Sequence, residues 1–130
     1  MKQDIDIKWR EEPSEHDYPA AKEYLSLMFQ DKDAKTIAKY LKKQDVSFFY
    51  AKDIFRACGL PELDKSNGHV RRVLEKIATG EAISPLLLVK DCFYRRVIVA
   101  DGYHRLCAVH TFDEDSRIPC KIIEIGKPSD

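Results

Sequence analysis

VIVADGYHRLCAVH, Val97 to His110, is the stretch whose reading decides the fold. Its spacing predicts a strand over Tyr94–Ala100 and a helix over Gly102–Phe112, joined at Asp101-Gly102. A buried strand that only had to turn could continue with ordinary surface residues. This one presents Tyr103, His104 and Arg105 at the turn instead.

The flanks fit the same α/β unit. Pro85–Lys90 (PLLLVK) reads as a strand, and Ile118–Ile125 as another after the polar turn DEDSR. Upstream, Asn67 or Ser66 can cap a helix over His69–Ala78 that buries Val70, Val73, Leu74 and Ile77 and closes at Thr79-Gly80. Before it, VSFFYAKDIFRACGLPEL opens on aromatic residues suited to a short strand. It continues as a short helix, Ala51–Cys58, ended by Gly59 and Pro61. Two packing helices come first, Asp17–Gln30 and one that starts after Asp33 as N-cap and runs to Lys43, its lysines mostly off the apolar stripe. With no repeat, linker or low-complexity tract, residues 1–130 read as one domain. A helical extension over about 14–45 precedes an α/β (α+β) core over about 46–130, a small mixed sheet with helices.

The totals bound the function. A chain of 130 residues can bury roughly two thirds of its unfolded surface, enough for one core without staples. Lys plus Arg equals Asp plus Glu at 22 each, so no global field draws in nucleic acid or an acidic membrane, and any basic site has to be local. The N-terminus lacks the apolar centre of a secretory signal and Leu86–Val89 is too short to cross a bilayer, so a cytoplasmic location is expected. Four cysteines, spaced 34, 15 and 13 apart without C-x-x-C or finger-spaced His, predict neither a metal site nor a redox dithiol.

Where a strand ends and a helix begins, first-turn N–H groups lack partners and the helix dipole favours negative charge. Gly102 permits a sharp turn and close approach of a phosphate, while His104 and Arg105 add donors, the Arg as a fork matched to phosphate oxygens. The competing reading makes Asp101 the N-cap, Gly102 only the turn, and His104 and Arg105 solvated. His69, Arg72 and Lys76 tip the balance, because at i, i+3 and i+7 they share one helix face. If that face looks toward 101–105, two basic clusters converge.

From about His69 to Glu124 the chain resembles the ParB/sulfiredoxin-like superfamily: HVRRVLEKIATG, SPLLLVK, DGYHR, LCAVHTF and IPCKII stand in that family's order. Members include the N-terminal domain of ParB partition proteins, sulfiredoxin, an archaeal free-serine kinase and small plasmid proteins. The resemblance implies a nucleotide-binding domain, for ATP or CTP, with phosphates held at Gly102, His104 and Arg105. His69 and Arg72 match places where nucleotide-contacting residues occur, and Tyr103 either stacks on a base, closes the pocket or simply packs. Where sulfiredoxin needs a cysteine this chain has Tyr103, which excludes sulfinic acid reduction. The chain ends five residues after its last predicted strand, so the DNA-binding and dimerisation regions of ParB are not expected.

If there is catalysis, phosphoryl transfer or nucleotide hydrolysis fits the resemblance, with a nucleoside triphosphate or diphosphate and Mg²⁺. Asp101 is then the candidate to orient a nucleophile or bind the metal, and otherwise the N-cap. Glu62, Asp64 and Glu81 have no motif behind them. Two other classes remain open. One is DNA binding through Ala34–Leu60, which faintly resembles a helix-turn-helix but is disfavoured by its apolar SFFY and by the neutral charge. The other is a non-catalytic module whose N-terminal helices dock a protein partner. Exposed Tyr, Leu and Met there would favour it and burial against the sheet would oppose it.

Overall fold

A computed structural model describes residues 6–126. Five helices and four strands follow in the order α1 (Asp17–Leu25), α2 (Asp31–Lys42), β1 (Ser47–Tyr50), α3 (Ala51–Cys58), α4 (Gly68–Thr79), β2 (Leu86–Asp91), β3 (Arg96–Asp101), α5 (Tyr103–Phe112) and β4 (Arg117–Ile125). They build one mixed sheet in the order β1-β4-β2-β3. β2 and β4 are parallel, while β1 pairs antiparallel with β4 and β3 antiparallel with β2. The fold is α+β.

The Leu-Leu-Leu-Val run of β2 is buried throughout because the sheet is covered on both faces. Alternation sends Leu86 and Leu88 to one side, where Ala51, Ile54, Val70, Ile77, Leu106 and Val109 of α3, α4 and α5 meet them. It sends Leu87 and Val89 to the other, against Tyr18, Ala21, Leu25, Ala34, Ile37 and Leu41 of α1 and α2. The N-terminal helices are therefore a full layer of the core rather than an appendage. Tyr24 of α1, Tyr40 of α2 and, in the turn between them, Leu27 and Met28 stay exposed.

Most predicted boundaries agree with the structure to within one or two residues, and the departures have local causes. α1 stops at Leu25, not Gln30, because the Leu25 carbonyl is taken by the N–H groups of Met28 and Phe29 in a tight turn. α2 then starts at Asp31 with Gln30 as cap, so Asp33 lies in the first turn beside Asp31, where negative charge meets the helix dipole. The helix-turn-helix reading of Ala34–Leu60 is corrected: a strand stands between α2 and α3. Phe48, Phe49 and Tyr50 are exposed on that strand because it is the sheet edge. Among the described residues no helix is long and apolar enough to cross a membrane.

Two features bring the DGYHR turn to its place. Leu87 faces Asp101 whereas Leu88 faces Val99, so Ala100 is an extra residue in β3, a bulge immediately before the turn. α5 beyond it packs against α3, α4 and β2, with Leu106, Cys107, Ala108 and Val109 all buried. A helix wedged on so many sides has little freedom to move its N-terminus.

Candidate functional site

Gly102 is the N-cap of α5, at φ 106° and ψ 19°. A Cβ there would stand 2.4 Å from Leu86 Cδ2 and 2.9 Å from Arg105 Nη2, so the position demands glycine both for its left-handed φ and for space. The room around it is filled by the protein's own side chains. No side chain caps the helix, which corrects the reading of Asp101 as N-cap. The first carbonyl taken is that of Gly102, by the Leu106 N–H at 2.8 Å. The amides of Tyr103, His104 and Arg105 have no partner among the described residues.

Arg105 is neither solvated nor free to fork onto phosphate, as its predicted role required; its guanidinium is held by the protein's own carboxylates. Its Nη2 donates to Asp101 Oδ2 at 2.8 Å and to the Pro85 carbonyl at 3.3 Å, and stands 3.6 Å from Asp17 Oδ2. Asp17, the first residue of α1, also accepts from Ser84 Oγ and from the Ser14 N–H. The guanidinium is thus clamped between two carboxylates from different layers, its side chain only 18% exposed. One donor is left over: Arg105 Nε is buried without an acceptor. Burial pushes the Asp101 carboxyl above its usual range despite the opposing pull of Arg105, and the charge of Asp17 adds to the rise. This clamp was invisible in the sequence. Asp17 had a local role to explain it, as a helix start, and nothing in the spacing ties it to Arg105.

The two basic clusters do converge. α4 is capped by Asn67, whose side chain accepts from the His69 and Val70 N–H groups at 2.9 and 3.1 Å. With Val70 and Ile77 buried, the face carrying His69, Arg72 and Lys76 looks onto the turn. A cavity of about 210 Å³ lies between them, lined by those three, Val73 and all five residues of Asp101–Arg105. The His69 and His104 rings lie 4.8 Å apart, centroid to centroid, tilted by 38°. Burial, then His69 and Arg105, hold the His104 imidazole below its ordinary pKa.

Tyr103 lines the cavity and also packs against the core. Its hydroxyl donates to the Pro61 carbonyl and its ring joins the core on the α3–α5 side of the sheet. Glu62 bonds His110 and Thr111, and Asp64 turns back on Ser66, so neither is a base for this cavity. The site does not fit Mg²⁺ held by protein carboxylates: Asp101 and Asp17 are both drawn onto Arg105, a cation where the metal would have to be. Among the described residues no group of three or more His, Cys, Asp or Glu is placed to hold a metal.

The arrangement has donors and positive charge in excess. His69, Arg72, Lys76 and His104 have no acidic partner among the described residues, and the one acid that lines the cavity, Asp101, is already neutralised by Arg105. No protein-family model matches this chain, and neither a curated protein nor a solved structure matches it.

Proposed function

We propose that this protein binds the phosphate groups of a nucleotide in the cavity between α4 and the N-terminus of α5. The observation that carries the reading is the imbalance of that cavity. The first-turn amides of Tyr103, His104 and Arg105, without partners among the described residues, and the side chains of His69, Arg72, Lys76 and His104 converge on it with no free carboxylate. His69, Arg72 and Lys76 are exposed and His104 is half-buried, so their donors are open to an anion arriving from solvent, which the first-turn amides of α5 also favour. The resemblance of DGYHR and its flanks to the ParB/sulfiredoxin-like superfamily supports a nucleotide as the source of that anion. At about 210 Å³ the cavity is smaller than the roughly 300–1,000 Å³ pockets that enclose whole drug-sized ligands, so it suits a short polyphosphate with the nucleoside outside.

Arg72 and Lys76 are the residues to remove, because they reach the cavity from a well-capped helix and hold nothing else together. ATP, CTP, GTP and ADP, each with Mg²⁺, are titrated while thermal unfolding is followed. A nucleotide at a hundredfold excess over its dissociation constant stabilises the native protein by about 2.7 kcal/mol. The gain is lost in Arg72→Ala/Lys76→Ala. No stabilisation by any of the four sinks the proposal.

A further inference from the structure

Two imidazoles line this cavity, His69 and His104, and they face one another. His69 projects from the first turn of α4 and His104 from the first turn of α5, with ring centroids 4.8 Å apart. The other charged groups lining the cavity come from several elements. Arg72 and Lys76 come from α4, Arg105 from α5 and Asp101 from the end of β3, with Asp17 of α1 behind Arg105. Arg72, Lys76 and Arg105 stay charged across the neutral range. Asp101 and Arg105 neutralise each other to first order. What remains is a pair of imidazoles at the helix end where the dipole is positive, beside two cations. Burial, His69 and Arg105 hold His104 low.

A divalent anion offsets the repulsion from these cations and from the positive helix end, though not the burial. We infer that the His69–His104 pair makes anion binding at this turn proton-linked, each imidazole taking up a proton as the anion arrives. The inference rests on the anion-binding reading above and adds its regulation: affinity is high in mildly acidic solution and falls as pH rises through neutrality. The sign follows from linkage. A ligand that binds the protonated form better raises the pKa of the groups it touches, and loses affinity as those groups deprotonate. Each unit of upward shift on one imidazole equals a tenfold gain in affinity between the two protonation states.

Sulfate is the probe, because it keeps its double charge throughout the range in which histidine titrates, as phosphate does not. The Hε1 resonances of all four histidines of the native protein are followed by NMR from mildly acidic to mildly alkaline pH, in sulfate and in chloride of equal ionic strength. His69 and His104 are expected to shift upward by about one pKa unit in sulfate. His16 and His110, away from the cavity, stay where they were and report any general salt effect. His69→Asn removes its own resonance and leaves a smaller shift on His104. If sulfate saturates the Tyr103 and His104 amide shifts but leaves both imidazole titrations unmoved, the site binds anions and the proton linkage is wrong. If those amides do not respond at any pH, the anion site itself is wrong.

Discussion

Two charged clusters meet at Arg105, and they are built on opposite terms. On the inner side Asp17, Ser84 and Asp101 close around the guanidinium and leave its Nη2 three oxygens within reach. On the outer side His69, Arg72, Lys76 and His104 gather around a cavity with nothing negative to answer them. The inner cluster sets two carboxylates against one guanidinium and is mostly buried, so its value lies in holding α1, β3 and α5 in one arrangement. The outer cluster is unbalanced and largely exposed, so its donors are met by water and stay open to a ligand. Proximity alone does not separate structural charge from ligand-seeking charge; the presence of a partner does.

The largest expected effect comes from cutting the shared residue. Arg105→Ala leaves Asp101 and Asp17 facing each other in a buried site. It is expected to lower stability by about 3–5 kcal/mol in urea unfolding. A loss within the error of a surface substitution would mean the clamp contributes nothing. Gly102→Ala comes next. It keeps every charge but forces a Cβ into the left-handed region and onto Leu86, at a cost of about 1–3 kcal/mol. Calorimetry that finds the variant as stable as the native protein would place the turn elsewhere.

Asp101→Asn sharpens the contrast through its pH dependence. The folded carboxyl titrates above its ordinary value because of burial, so it contributes stability at acid pH that is lost as pH rises through its folded pKa. Relative to the native protein, the Asn variant is therefore least favoured at about pH 3.5 and recovers ground toward neutrality. Urea midpoints at the two ends of that window test the sign. The smallest change in stability belongs to the outer cluster. Arg72→Ala and Lys76→Ala are expected to shift unfolding by no more than about 0.5 kcal/mol, upward if at all, while abolishing stabilisation by nucleotide. A large loss of stability from either would make the outer cluster structural too.

Much of this was legible in the sequence because it is written in local patterns. α3 ends at Gly59 as its left-handed cap, α4 is capped by Asn67 and closed by Gly80, and β3 gives way to α5 at Asp101-Gly102. Each depends on residues within a few positions of one another. The shared face of His69, Arg72 and Lys76 was legible for the same reason, as helical spacing. The resemblance added a nucleotide as the expected ligand, which remains a proposal. The end of α1 at Leu25 was not legible, since the apolar period runs on through Met28 while the backbone has already turned.

What the sequence by itself determined, then, is which segments are helix and strand, and that a glycine turn with basic neighbours sits between a strand and a helix. Only the tertiary structure decided how those donors are used. Ser84 meets Asp17 across 67 positions of chain, and Arg105 reaches both carboxylates only because α1 lies against the end of β3 that α5 leaves. The reason is physical. Caps and periods act over a turn or two of backbone, whereas the partner of a charge is whatever packing brings within about 4 Å, and no local pattern records that.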